Sequence, residues 1–142
     1  MSTEENKANQ LRVWEEIVNK GDMAVADELF ATDYLYHGPV GMEFKGPEGL
    51  KQLITMFRNA LSDFHVTVED MFAEGDKVVS RITGRGTHTG ELMGIAPTGK
   101  KTAVAGLIIT RWVDGKEAET WEILDMLGLM QQLGVVPPMG QA

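Results

Sequence analysis

The sequence predicts an α+β fold: helices first, then four consecutive antiparallel strands that curl into a cone. Three observations predict it. Apolar residues recur at helical spacing as far as Leu61 and alternate with polar ones from Phe64 onward. Turn signals, Glu74-Gly75-Asp76-Lys77 and Asp114-Gly115 among them, separate runs of strand character. Gly84 and Gly86 lie inside one of those runs, where glycines mark bulges or sharp bends. A long twisted sheet bent in this way curls, and helices across its mouth enclose a ligand cavity.

Taken in order, Leu11, Trp14, Ile17 and Val18 form the inner stripe of a first helix, which Gly21 stops. Asp22 caps a short second helix with Met23, Ala26, Leu29 and Phe30 inward. The stretch YLYHGP leaves that helix, and His37 precedes the Gly38-Pro39 break. GPEGLKQLITMFRNAL restarts a helix with Pro47 in its first turn and a stripe of Leu50, Leu53, Ile54, Phe57 and Leu61. FHVTVEDMFA is the first long strand and VVSRITGRGTHTG the second. After the loop ELMGIAPTGK, TAVAGLIITRW is the third, and EAETWEILD the fourth. A short apolar tail follows.

The totals narrow the function. A chain of 142 residues suits one domain spanning 1–142. With no Cys, it has no disulfide, thiolate nucleophile or Cys-based zinc site, and suits a cytoplasmic setting. The polar N-terminus MSTEENKANQ lacks a signal-peptide core, and no apolar run reaches membrane-span length. A net charge of −8 repels a phosphate backbone, so neither nucleic acid nor a membrane is expected as partner. The three His are too far apart for metal-ligand spacing, so no metal is expected.

The last strand poses the main question. Its odd positions carry Glu119, Trp121, Ile123 and Asp125, two acids beside an indole and an aliphatic side chain. A strict two-residue Asp114-Gly115 turn pairs Ile108 with Trp121. A three-residue loop pairs Leu107 with Trp121. Both registers set the acid-bearing face against apolar or small neighbours, so that face is read as the inner one. An acid there must be neutralised, paired or used. The alternative is that Glu119 is solvated and Asp125 caps the following turn.

Arg81 lies mid-strand and is read as the partner of Glu119 or a ligand-binding group. His88 closes the GTH triplet and either donates to a substrate carbonyl or is a satisfied rim histidine. His37 and Trp121 are placed at the pocket wall, and His65 points to solvent. Trp14 belongs to the core. The GIAPTGK segment lacks phosphate-loop spacing.

RITGRGTHTGELMGIAPTGK, followed by DGKEAETWEILDMLGLMQQLGVVP, resembles the SnoaL-like polyketide cyclase (ester cyclase) family, and DYLYHGP fits the same pattern. The resemblance runs from about Trp14 to Pro137. It implies the cone-shaped α+β barrel of the NTF2-like superfamily. It also implies cofactor-free, metal-free closure of a polyketide ring by an intramolecular aldol reaction. The family's acid/base is an aspartate near the end of the last long strand, and the matching position is Asp125. Burial beside Trp121 and Ile123 would raise its pKa toward working pH. Ile109 and Arg111 stand where the cyclases carry polar ring-orienting residues, a departure from the anthracycline pattern.

The expectation is a cofactor-free acid/base enzyme acting on a hydrophobic, carbonyl-bearing small molecule. Asp125 and His88 are its catalytic residues, and Arg81, Glu119, Trp121 and His37 its ligand-binding ones. Isomerase, dehydratase or epoxide hydrolase chemistry on the same fold, a non-catalytic binding protein and an interaction module are the alternatives. A homodimer through the outer sheet face is expected, with Ile108, Ile82, Leu124 and Val104 supplying apolar surface there.

Overall fold

Ser2 opens the first helix, accepting the Glu5 N–H while the Glu5 carboxylate returns to the Ser2 backbone. The computed structural model describes residues 2–137 and Gly140. Helix α1 (Thr3–Arg12) runs on into a π-helical segment, Val13–Asn19, which buries Val13, Trp14, Ile17 and Val18. Asp22 caps α2 (Met23–Leu29) through the Ala24 N–H at 3.2 Å. Strand β1 (Phe30–His37) follows directly, so Phe30 opens a strand and does not finish the helix. A tight turn leads to β2 (Glu43–Lys45) and then to α3 (Pro47–Ala60), with Pro at its first position. Strands β3 (Leu61–Glu74), β4 (Lys77–His88), β5 (Lys101–Val113) and β6 (Lys116–Leu124) form the meander read from the sequence. Where a plain apolar tail was expected, α4 (Met126–Leu133) forms, and Gly134 ends it at φ +82°.

The six strands make one sheet in the order β2-β1-β6-β5-β4-β3. Strand β1 lies parallel to β6, which sets Tyr36 beside Thr120 and His37 beside Trp121. The helices cover the concave face, and the core joins Trp14, Ile17, Leu29, Leu53 and Ile54 to Tyr34, Tyr36, Ile82 and Ile108. A second cluster of Ala60, Leu61, Leu92, Leu129 and Leu133 closes the end beneath α4.

The register breaks bear on the expected curvature, and one of them, between Ser62↔Thr87 and His65↔Arg85, lies opposite Gly86. The β4–β5 register is unbroken from Lys77↔Arg111 to Thr87↔Lys101, so Gly84 and Gly86 cause no bulge there. The register breaks in this half of the sheet lie between β3 and β4. Gly86 also allows close approach: a Cβ there would come within 2.7 Å of the Leu61 Cβ. Further breaks lie between β1 and β6 and between β5 and β6. The turn pairs Val113 with Lys116 and Trp112 with Glu117, as a two-residue hairpin requires; then Arg111 pairs with Glu119. Ala118 is the extra residue of a β-bulge.

That one residue decides which face looks inward. Without it Ile108 would oppose Trp121; with it Ile108 opposes Glu122. Thr120, Glu122 and Leu124 therefore turn into the cone, and Glu119, Trp121 and Ile123 turn out. Because the bulge separates them, Glu117 faces inward too, although its parity differs. Ile82, Val104, Ile108 and Leu124, expected on the outer face, line the cavity.

Candidate active site

The cone holds a partly open cavity; the empty space in it and in the solvent at its mouth together comes to about 980 Å³. Its walls are Trp14, Phe30, Phe57, Phe64 and aliphatic residues from α3, β3, β4 and β5. Two carboxyls interrupt this apolar lining, Glu117 and Glu122, together with Tyr34, Tyr36, Gln10 and three threonines. A smaller hollow of about 310 Å³, bordered by Pro39, Val40, Met42 and Met93, shares Tyr36, Glu122, Leu124 and Met126 with the main cavity.

Glu122 therefore stands where the two hollows meet. It keeps part of its surface open, and that surface faces the hollows. The enclosing protein strips enough water from the carboxyl to push its pKa up to about 7. The Tyr36 hydroxyl beside it opposes that rise, yet Tyr36 Oη has no hydrogen-bond partner of ordinary geometry among the described residues. Burial first, then the Glu122 charge, raises the phenol, so Tyr36 stays a neutral donor. Gly38 leaves room for this ring, because a Cβ there would collide with it.

Glu117 is more deeply placed, only 2% exposed. Tyr34 Oη donates to Thr120 Oγ1 at 2.7 Å, and Thr120 Oγ1 donates to Glu117 Oε2 at 2.6 Å. Burial outweighs these bonds and pushes the Glu117 pKa up to about 8. Nearby, Thr110 Oγ1 donates to Gln10 Oε1 at 2.6 Å, and Trp14 Nε1 donates to Ser80 Oγ at 3.1 Å.

None of the six expected site residues, Asp125, His88, Arg81, Glu119, Trp121 and His37, lines this cavity. Asp125 is exposed and caps α4, its Oδ1 accepting the Gly128 N–H at 2.9 Å. The capping alternative describes its geometry, and the expected inward orientation is corrected. Glu119, His37 and Trp121 do come together, but on the outer face. His37 Nε2 lies 2.7 Å from Glu119 Oε2 and its ring stacks on Trp121 at 5.7 Å. Arg111, not Arg81, is the guanidinium on Glu119, at 3.2 Å. His37 first and Arg111 second hold the Glu119 carboxyl below its usual range. Arg81 is exposed on the outer face and forms no ion pair among the described residues. His88 is fully buried and organises the 89–100 loop, its Nδ1 accepting the Thr98 N–H at 3.2 Å. Among the described residues, no three His, Asp or Glu side chains cluster as a metal site requires.

Glu117, Glu122, Tyr34 and Tyr36 were not singled out. The signal for the tyrosines was their spacing of two in YLYH, the period of one strand face. Glu122 was hidden by the bulge.

A curved α+β sheet with an apolar cavity and a few inward acids defines a small-molecule site, for which the fold alone fixes no reaction. The chain belongs to the SnoaL-like polyketide cyclase family, whose profile matches residues 8–133. It is 30% identical over 122 residues to the aklanonic acid methyl ester cyclase DauD of a Streptomyces species (strain C5), covering 84% of this chain and 76% of that one. It is 30% identical over 121 residues to the nogalonic acid methyl ester cyclase of Streptomyces nogalater, covering 82% and 88%. Among solved structures, AclR of Streptomyces galilaeus, named as a candidate hydroxylase, superposes with a TM-score of 0.86 at 29% identity over 99% of this chain and 87% of that one. IdmH of Streptomyces antibioticus, named as a candidate polyketide cyclase, gives 0.81 at 30% over 91% and 98%. Membership of this family implies a hydrophobic small-molecule substrate. Among the described residues no helix is long and apolar enough to cross a membrane.

Proposed function

We propose that the protein is a cofactor-free acid/base catalyst that closes a ring of a polyketide-type substrate, with Glu122 as the proton carrier. The observation that carries this reading is a carboxyl in an apolar cavity with its pKa raised to about 7. Such a group is half ionised near neutral pH, where it both accepts and returns a proton.

In the proposed cycle the Glu122 carboxylate removes a proton from a carbon flanked by carbonyls. The resulting enolate attacks a second carbonyl of the same molecule and forms the carbon–carbon bond. The alkoxide so generated takes the proton back from the Glu122 acid, and no atom is lost. Tyr36, whose hydroxyl has no partner among the described residues, is suited to donate to the enolate or alkoxide oxygen. The apolar walls keep competing water low.

The test is turnover of an aromatic polyketide ester by Glu122→Gln, which keeps the shape but cannot carry a proton. A loss of about 10²- to 10⁴-fold is expected. The likeness to AclR makes an oxygen control necessary: ring closure proceeds without oxygen, whereas hydroxylation consumes it. We also propose a homodimer formed through the outer sheet face, and a cytoplasmic location, which the Cys-free sequence suits.

A further inference from the structure

We propose that Glu117 is a second ligand-binding group of the cavity, donating a hydrogen bond from Oε1 to a carbonyl or ester oxygen at the end of the ligand remote from Glu122. This rests on the cavity being the substrate site, and goes further by naming what the deep end recognises.

The direction of the hydrogen bonds makes the assignment. Glu117 Oε2 already accepts the Thr120 hydroxyl, and Thr120 Oγ1 already accepts the Tyr34 hydroxyl. Reversing the chain would leave the Tyr34 O–H without an acceptor in a fully buried position. The forward direction avoids that and makes Oε2 an acceptor only. The proton of the neutral acid therefore sits on Oε1. That atom has no partner among the described residues and is covered by its neighbours, on a residue that lines the cavity, so a ligand oxygen meets it after a small side-chain shift. Desolvation favours the neutral form, which alone can donate. A buried donor left open in this way costs stability unless a ligand meets it.

The position fits a ligand gripped at both ends. Glu117 and Glu122 are five residues apart along β6, roughly 15 Å between Cα atoms at strand rise. The lining around this stretch includes Thr120 on β6, Tyr34 and Tyr36 on the neighbouring β1, and apolar side chains from the helices. A flat hydrophobic molecule with oxygen functions at its two ends matches this layout. One with a bare hydrocarbon end leaves the Glu117 donor unmet.

Two probes separate the cases: a methyl hydroxynaphthoate with ester and hydroxyl at opposite ends of its long axis, and the naphthol lacking the ester. Binding is measured by calorimetry at about pH 6. The wild-type protein is expected to prefer the ester by about tenfold, the worth of one net hydrogen bond. Glu117→Leu should lose the preference while binding the naphthol within about threefold of wild type. Glu117→Gln, whose amide N–H₂ still donates, should keep most of it. Infrared spectra of the bound ester should show its carbonyl stretch lowered in the wild type. If Glu117→Leu fails to fold, that band still decides, and an unshifted carbonyl overturns the proposal. Retention of the full preference by Glu117→Leu overturns it too. Neither readout involves turnover, so failure here leaves Glu122 catalysis standing. A wild-type protein that binds neither probe overturns this proposal too, while turnover by Glu122→Gln decides the proposed function separately.

Discussion

Glu122 stands opposite Ile108 across β5 and β6, one step out of the register that the Asp114-Gly115 turn alone would set. The step is Ala118. Deleting it should restore the strict hairpin and drive Trp121 and Ile123 toward the cone while turning Glu122 out. Side-chain period in a strand is two, so the whole inner face is exchanged. Chemical denaturation should show a loss of at least about 3 kcal/mol, in the range of a disrupted core. Ala118→Gly keeps the residue count and should cost only about 1 kcal/mol. A deletion variant with wild-type stability and activity would show that the bulge does not set the face.

The same residue explains what the sequence left hidden. Strand order, the helical stripes and the hairpin were legible because each rests on local periodicity or a turn residue, as with Leu50, Leu53 and Ile54 or Asp114-Gly115. A bulge has no such signature here: Ala118 is an ordinary small residue, and both Ile108 and Ile109 suit a buried face. The choice between them was made by tertiary packing. The parallel pairing of β1 with β6, which delivers Tyr34 and Tyr36 to the cavity, joins residues more than eighty positions apart and was equally out of reach. Asp125 drew attention because it shares a parity with Trp121. Its side chain instead accepts the Gly128 N–H.

Activity should distinguish the two acids near the end of β6. Glu122→Gln is expected to lose on the order of 10²- to 10⁴-fold in kcat. Asp125→Asn, which can still cap α4, should stay within about threefold; Asp125→Ala should cost about 1 kcal/mol of stability through the lost cap. The wild-type rate should rise with pH through about 7, because proton removal needs the Glu122 carboxylate. A kcat profile flat from pH 5 to 9, or a dead Asp125→Asn with an active Glu122→Gln, would reject the assignment.

Stability should fall as pH rises, through Glu117 and Glu122. Both native pKa values, about 8 and about 7, lie above the ordinary value of 4.5. Below pH 4.5 both states hold these protons. From there to about 8 the native state holds them and the unfolded chain releases them, so unfolding gains with pH. Glu117→Gln removes the larger share, since desolvation, against the Thr120 and Tyr34 hydroxyls, dominates there. It should be more stable than wild type at pH 9 by up to about 5 kcal/mol, with little difference at pH 4, given about 1.36 kcal/mol for each pH unit of the interval. Equal stability of the two proteins at pH 9 would mean that Glu117 ionises freely in the native state.

The outer sheet face should join two copies of the chain. Trp121, Ile109, Val79 and Phe72 form one continuous apolar row across β6, β5, β4 and β3. Ile123 and Leu107 lie in the next row, and Phe72, Leu107 and Ile123 are each more than half exposed. The His37–Glu119–Arg111 group borders the row with polar contacts. An apolar centre with a polar border is the build of an interface. In a two-fold pairing each residue near the axis meets its own copy, so one new charge is set against another. Light scattering at micromolar concentration should give twice the 15.6 kDa chain mass for the wild type and a single chain for Leu107→Glu. Because Leu107 is already 54% exposed in one chain, the monomeric variant should keep its fold and melt cooperatively. A wild type that scatters as one chain, or a Leu107→Glu protein that remains dimeric, would remove this face from consideration.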